Sequence, residues 1–109
     1  MGGFKISSTS NSISAVFEGL FTVDDARFYI ESFKKEAAKV NTANCNLILD
    51  GSNLKELPTE MQEILKNILV LYKSMGFNNV TLDSGNNEIL KTQVKRIVAD
   101  AGLTEFSLI

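Results

Sequence analysis

The sequence predicts an α/β fold: a mixed sheet of four to five strands with three helices, in the order β-β-α-β-α-β-α-β. Three observations carry this. The chain opens with period-two alternation over two short segments. Later segments place apolar residues at helical spacing. Short apolar runs bounded by turn-forming residues separate those segments. Strands alternating with helices imply crossover connections and a largely parallel sheet, and the opening hairpin makes the sheet mixed.

Phe4 and Ile6 alternate with polar residues, as do Ile13, Ala15 and Phe17, so two half-buried strands are expected, with Thr9, Ser10 and Asn11 turning between them. Gly19 ends the second strand. Thr22 starts the first helix, with Asp25 three positions on: the hydroxyl can cap a free backbone N–H, and Asp24 and Asp25 suit the positive helix end. Val23, Ala26, Ile30, Phe33 and Ala37 then form its buried stripe. The run Leu47-Ile48-Leu49 before Asp50 reads as a strand buried on both faces.

Gly51 to Leu57 reads as a loop, and Pro58 and Thr59 open the second helix. Thr59-Glu60-Met61-Gln62 has the form of a capping box with Thr59 as the cap. Met61, Ile64, Leu65, Ile68, Tyr72 and Met75 make the stripe, and Gly76 suits a left-handed cap. Val80 and Leu82 mark a fourth strand, ending at Asp83. After the turn cluster Ser84-Gly85-Asn86-Asn87, the third helix carries Leu90, Val94, Ile97, Val98 and Ala101 on one face and ends at Gly102. Phe106 and Leu108 suggest a short last strand.

Composition narrows the function classes. The 109 residues suit one domain, read as spanning 1–109, and 44% of them are apolar. Eleven basic and thirteen acidic residues leave a net charge of −2, with no basic patch for phosphate, so no nucleic-acid partner is expected. There is no histidine, which removes Ser-His-Asp and Cys-His catalysis and histidine metal sites. Cys45 is the lone cysteine, so no thiolate cluster forms within one chain; it reads as a small core hydrophobe. The N-terminus lacks an apolar signal core, and the longest apolar run, Ile68 to Tyr72, is far short of the ~20 residues that span a bilayer. No membrane insertion, no metal and no cofactor are expected, and the expected location is cytoplasmic.

The element order and several local words resemble the STAS family, which includes sulfate-transporter regulatory domains and bacterial anti-sigma-factor antagonists. The resemblance runs from about Ser12 to Leu103. Leu47-Ile48-Leu49-Asp50 resembles the family's strand ending in Asp, and the segment from Gly51 to Leu57 has the length of the loop after it. Glu18-Gly19 and the ending Ala99-Asp100-Ala101-Gly102-Leu103 are also similar. The family's Asp-Ser-Ser-Gly helix start falls on Pro58-Thr59-Glu60-Met61, so the phosphoacceptor position is Thr59, without the acid or the glycine. The resemblance implies a non-catalytic regulatory module that binds another protein, a regulatory kinase or an anti-sigma-type partner, through a surface including Ser52, Asn53 and Thr59.

Other residues keep alternatives open. Thr59 reads both as a helix cap and as a phosphoacceptor, and the two are compatible because phosphate is favoured at a helix N-terminus. Asp50 and Asp83 fall at strand ends, where ligands bind in open α/β sheets; they suit a ligand or hydrolase site, or simply turn initiation. Phe28 points away from its helix's apolar stripe and is rimmed by Asp24, Glu31 and Lys35, as an interface anchor would be. It is grouped with the partner-binding candidates, and a homodimer formed through the first helix is the scaffold alternative. Val70, also off its stripe, reads as an ordinary exposed residue.

Overall fold

The computed structural model describes residues 3–19 and 21–109. Its elements are β1 (Gly3–Ser8), β2 (Ser12–Gly19), α1 (Val23–Ala37), a short 3-10 turn (Thr42–Asn44), β3 (Asn46–Leu54), α2 (Thr59–Met75), β4 (Asn79–Asp83), α3 (Glu88–Ala101) and β5 (Phe106–Leu108). The strands stand in the sheet in chain order, β1-β2-β3-β4-β5. β1 and β2 are antiparallel; the other neighbours are parallel.

That order decides where the helices go. Right-handed crossovers that all step in one direction place their helices on one side of the sheet. Burial follows this rule. Ile13, Ala15 and Phe17 of β2, Leu47 and Leu49 of β3, and Val80 and Leu82 of β4 are buried in one core with residues of all three helices. The opposite face carries a row formed by Ser7, Ser14, Ile48, Thr81 and Ser107 in register. Ile48 is 45% exposed there. The expectation of a strand buried on both faces is therefore corrected: Leu47 and Leu49 point inward, and Ile48 stands on the open face.

The core centres on aromatic rings. Tyr29 lies 5.5 Å from Phe4 and 5.0 Å from Phe17 between ring centroids, so α1 sits over β1 and β2. Phe33 lies 5.0 Å from Tyr72, joining α1 to α2. The hydroxyls of Tyr29 and Tyr72 are 2.5 Å apart in this apolar setting. Burial pushes both phenols above their usual range and keeps them neutral. Tyr29 was absent from the stripe read off the sequence; it is among the most buried side chains of the protein.

Two helix starts match their sequence signals. Thr22 Oγ1 accepts from Asp25 N at 3.2 Å, and Thr22 N donates to Asp25 Oδ2 at 2.9 Å, a complete capping box. Asn87 Oδ1 accepts from Leu90 N at 3.0 Å and caps α3. The third does not. The N-cap of α2 is Pro58, in extended conformation and with no side-chain cap bond. The Pro58 carbonyl accepts from Met61 N and Gln62 N. Thr59 is thus the first helical residue, one position too far along to cap, which corrects its reading as the cap.

Candidate functional site

Asp50, Ser52, Asn53 and Thr59 lie along the segment that runs from β3 into α2. β3 is longer than its sequence suggested. A register shift between Val16 and Glu18 lets the parallel pairing continue through Glu18–Asn53 and Gly19–Leu54. Ser52 and Asn53 therefore lie on the strand's last residues rather than in a free loop, and both are exposed.

Asp50 precedes them. Its Oδ1 accepts from Ser52 N at 3.0 Å and from Ser52 Oγ at 2.6 Å. These hydrogen bonds from Ser52, the side-chain one first, hold the Asp50 carboxyl below its ordinary range. It is ionised at neutral pH and therefore not a proton donor there. Asp83 is the register partner of Asp50 on β4, and its Oδ1 accepts from Gly85 N at 2.8 Å. Both carboxylates thus close turns of the Asx type. Asp50 lies within β3, four residues before its end, whereas Asp83 ends β4.

The two turns touch. Gly85 has φ 62°, and a Cβ there would come within 3.1 Å of Ser52 Cα and O. Only a residue without a side chain fits that close backbone approach. The segment before α2 is fastened from behind. Leu57 N donates to Gln93 Oε1 at 2.9 Å, and Leu57 O accepts from Gln93 Nε2 at 3.1 Å and from Gln62 Nε2 at 2.9 Å. Gln62 is also bonded to Arg96. The sequence pattern marked Gln62 as a capping-box partner of Thr59; it serves instead as a tie between Leu57 and α3. No local signal marks Gln93.

Thr59 is exposed and opens onto a cleft of about 140 Å³ between α2 and α3, lined also by Gln62, Glu63, Lys66, Arg96, Ile97 and Asp100. Two cations and two acids share it, so the cleft carries no net formal charge. Phe28, 67% exposed, is carried by a different helix, α1.

A partly open apolar pocket of about 60 Å³ reaches into the core, lined by residues such as Phe17, Leu49, Leu57, Met61, Leu82 and Leu90. Neither Asp50 nor Asp83 lines it, the α2–α3 cleft, or a third cleft at the β1 edge. Among the described residues, no three Cys, Asp or Glu side chains converge as metal ligands. Within the same residues, no helix is long and apolar enough to cross a membrane.

No family model matches the sequence, and no curated protein matches it significantly. Solved structures do resemble it. An uncharacterised protein of the DUF3478 family from Shewanella loihica PV-4, described as having a SpoIIAA-like fold, superposes with a TM-score of 0.71 at 16% sequence identity. The match covers 100% of this chain and 87% of that one. Identity this low speaks to architecture alone. The chain has a SpoIIAA-like fold, the STAS-type architecture that its element order resembles.

Proposed function

We propose that this chain is a non-catalytic regulatory module that binds another protein through the end of β3 and the start of α2. Ser52, Asn53 and Thr59 form the docking surface. One observation carries the reading: in a SpoIIAA-like fold, all three side chains are exposed on backbone that is already fastened, at Ser52 by Asp50 and ahead of Thr59 by Gln93 and Gln62. A surface ordered before it meets its partner loses little conformational entropy on binding.

The proposed partner is a regulatory kinase or an anti-sigma-type protein. Thr59 serves in this reading as a contact; the N-cap of α2 is Pro58, so the hydroxyl is not held as a cap. A phosphate on it would add close to two negative charges at the mouth of a cleft shared by Lys66, Arg96, Glu63 and Asp100.

The test is site-directed photo-cross-linking from position 53 in the native host, with phosphorylation mapping of Thr59 on the recovered protein. A captured protein that is lost on Thr59→Glu and retained on Lys95→Glu supports the docking surface. Capture indifferent to Thr59→Glu and to Ser52→Arg refutes it. Turnover of a small substrate that vanishes in Asp50→Asn would establish the ligand or hydrolase alternative in its place.

A further inference from the structure

We propose that the β1 edge and the adjoining flank of α1 form a two-fold interface with a second copy of this chain. The sheet has two edges. β5 is three residues long, a short edge of the kind that resists pairing. β1 is six residues long, holds no proline, and pairs with β2 without a register break.

The backbone pattern says which groups of β1 are available. Thr9 N donates to Ser12 O at 2.8 Å, which makes that pair a hydrogen-bonded one. Hydrogen-bonded and non-bonded pairs alternate along an antiparallel ladder. Ser7, Lys5 and Gly3 therefore turn their peptide groups toward β2, and Ser8, Ile6 and Phe4 turn theirs outward. The β2–β3 side agrees: Asn46 N donates to Asn11 O, so odd-numbered residues of β2 serve β3 and even-numbered ones serve β1.

Only some registers suit a second β1. Residues opposite each other in an antiparallel pair point to the same face, so inward residues must meet inward residues. Centring the pair on Lys5 would place two ammonium groups opposite each other. Centring it on Ile6 sets Ile6 against Ile6, Phe4 against Ser8 and Lys5 against Ser7. All the outward peptide groups then meet, giving up to about six hydrogen bonds.

The helices complete the fit. α1 lies over β1 and β2, so a two-fold axis through the β1 edge brings the two α1 helices side by side and antiparallel. The first turn of α1 carries Asp24 and Asp25, and its last turns carry Lys34, Lys35 and, just beyond, Lys39. Antiparallel approach sets the acidic end of each helix beside the basic end of the other. Ser32, Lys35, Glu36 and Lys39 line a cleft of about 340 Å³ with Phe4 and Ile6. Phe28 stands one turn before Ser32 on the same flank. This large exposed ring is placed to enter the second subunit's cleft, against the alkyl stems of its lysines. A two-fold interface needs such self-complementarity in strand register, charge and shape.

The experiment is sedimentation equilibrium combined with concentration-dependent amide hydrogen exchange on the intact protein. A dimer is expected. On dimerisation the amides of Phe4, Ile6 and Ser8 should slow, while those of Lys5 and Ser7, already bonded to β2, should change little. Phe28→Ser should weaken association at least about tenfold, and raised salt should weaken it further. A monomer persisting to about 1 mM, the limit of weak association, would overturn the proposal. So would a dimer whose slowed amides lie elsewhere, or one that Phe28→Ser leaves intact. The exchange readout requires no variant to fold.

Discussion

The Tyr29–Tyr72 hydroxyl pair makes the sharpest test of how this core is held. Both rings are about 1% exposed, and among the described residues neither hydroxyl has another partner. Changing either tyrosine to phenylalanine removes one hydroxyl and leaves the other buried and unpaired. That should cost about 1–3 kcal/mol for each single change. Tyr29→Phe/Tyr72→Phe together remove both polar groups and keep the ring shapes, so the double variant should cost no more than either single one. The coupling is then at least about 1–3 kcal/mol, opposite in sign to the single effects.

Alkaline pH supplies a second reading of the same pair. The folded phenols ionise above their unfolded value of about 10. Between the two values the unfolded chain binds fewer protons than the folded one. The stabilisation is therefore complete below about pH 10 and lost as pH rises through the folded values, at up to about 1.4 kcal/mol per pH unit for each tyrosine. The double variant should lack that contribution. The chain has no tryptophan and only these two tyrosines, so urea unfolding should be followed by far-ultraviolet circular dichroism. Single costs that simply add in the double variant would refute the claim that the two hydroxyls satisfy each other.

Three further outcomes are expected. Asn87→Ala should lower stability by about 1 kcal/mol because it deletes a formed cap bond, while Thr59→Ala should stay within about 0.5 kcal/mol; equal costs in urea titrations would put the cap of α2 back on Thr59. Gly85→Ala should destabilise by more than about 1 kcal/mol, because φ is positive and Ser52 blocks the new methyl; an unchanged melting temperature would contradict the close packing of the two turns. Leu49→Ala should cost about 2–5 kcal/mol and Ile48→Thr within about 0.5 kcal/mol, and comparable losses would show that the outer sheet face is covered.

Element order was legible because each helix and strand advertises its own period. Leu47-Ile48-Leu49 shows where that reading stops. An apolar triplet is compatible with burial on both faces, and Ile48 is exposed only because all the helices lie on the other side, a consequence of strand order that no local pattern encodes. The cap of α2 failed for a narrower reason. A hydroxyl three residues before Gln62 fits a capping box, but Pro58 in extended conformation starts the helix one residue earlier. The pairing of Asp50 with Asp83 depends on inter-strand register, which neither strand carries alone. Ser52, Asn53 and Thr59 are proposed through resemblance and not through any local pattern; the ties that Gln93 makes behind them join residues far apart in sequence.

The strand order also bears on synthesis. Every strand pairs with its neighbour in the chain, so none must be inserted between two already placed. A chain leaving the ribosome N-terminus first could form the hairpin, then add each helix and strand to the edge just made. Every intermediate would expose a fresh parallel edge, covered only when the next unit arrives. The edge of β4 is covered by β5, with backbone bonds from Val80 N to Glu105 O and from Ile109 N to Leu82 O, each 2.9 Å long. β5 then acts as a latch on a sheet assembled in the order of its strands. Arrest-peptide force profiling should show stepwise pulling as successive units emerge; a single late event would mean that the sheet forms only once the whole chain is free.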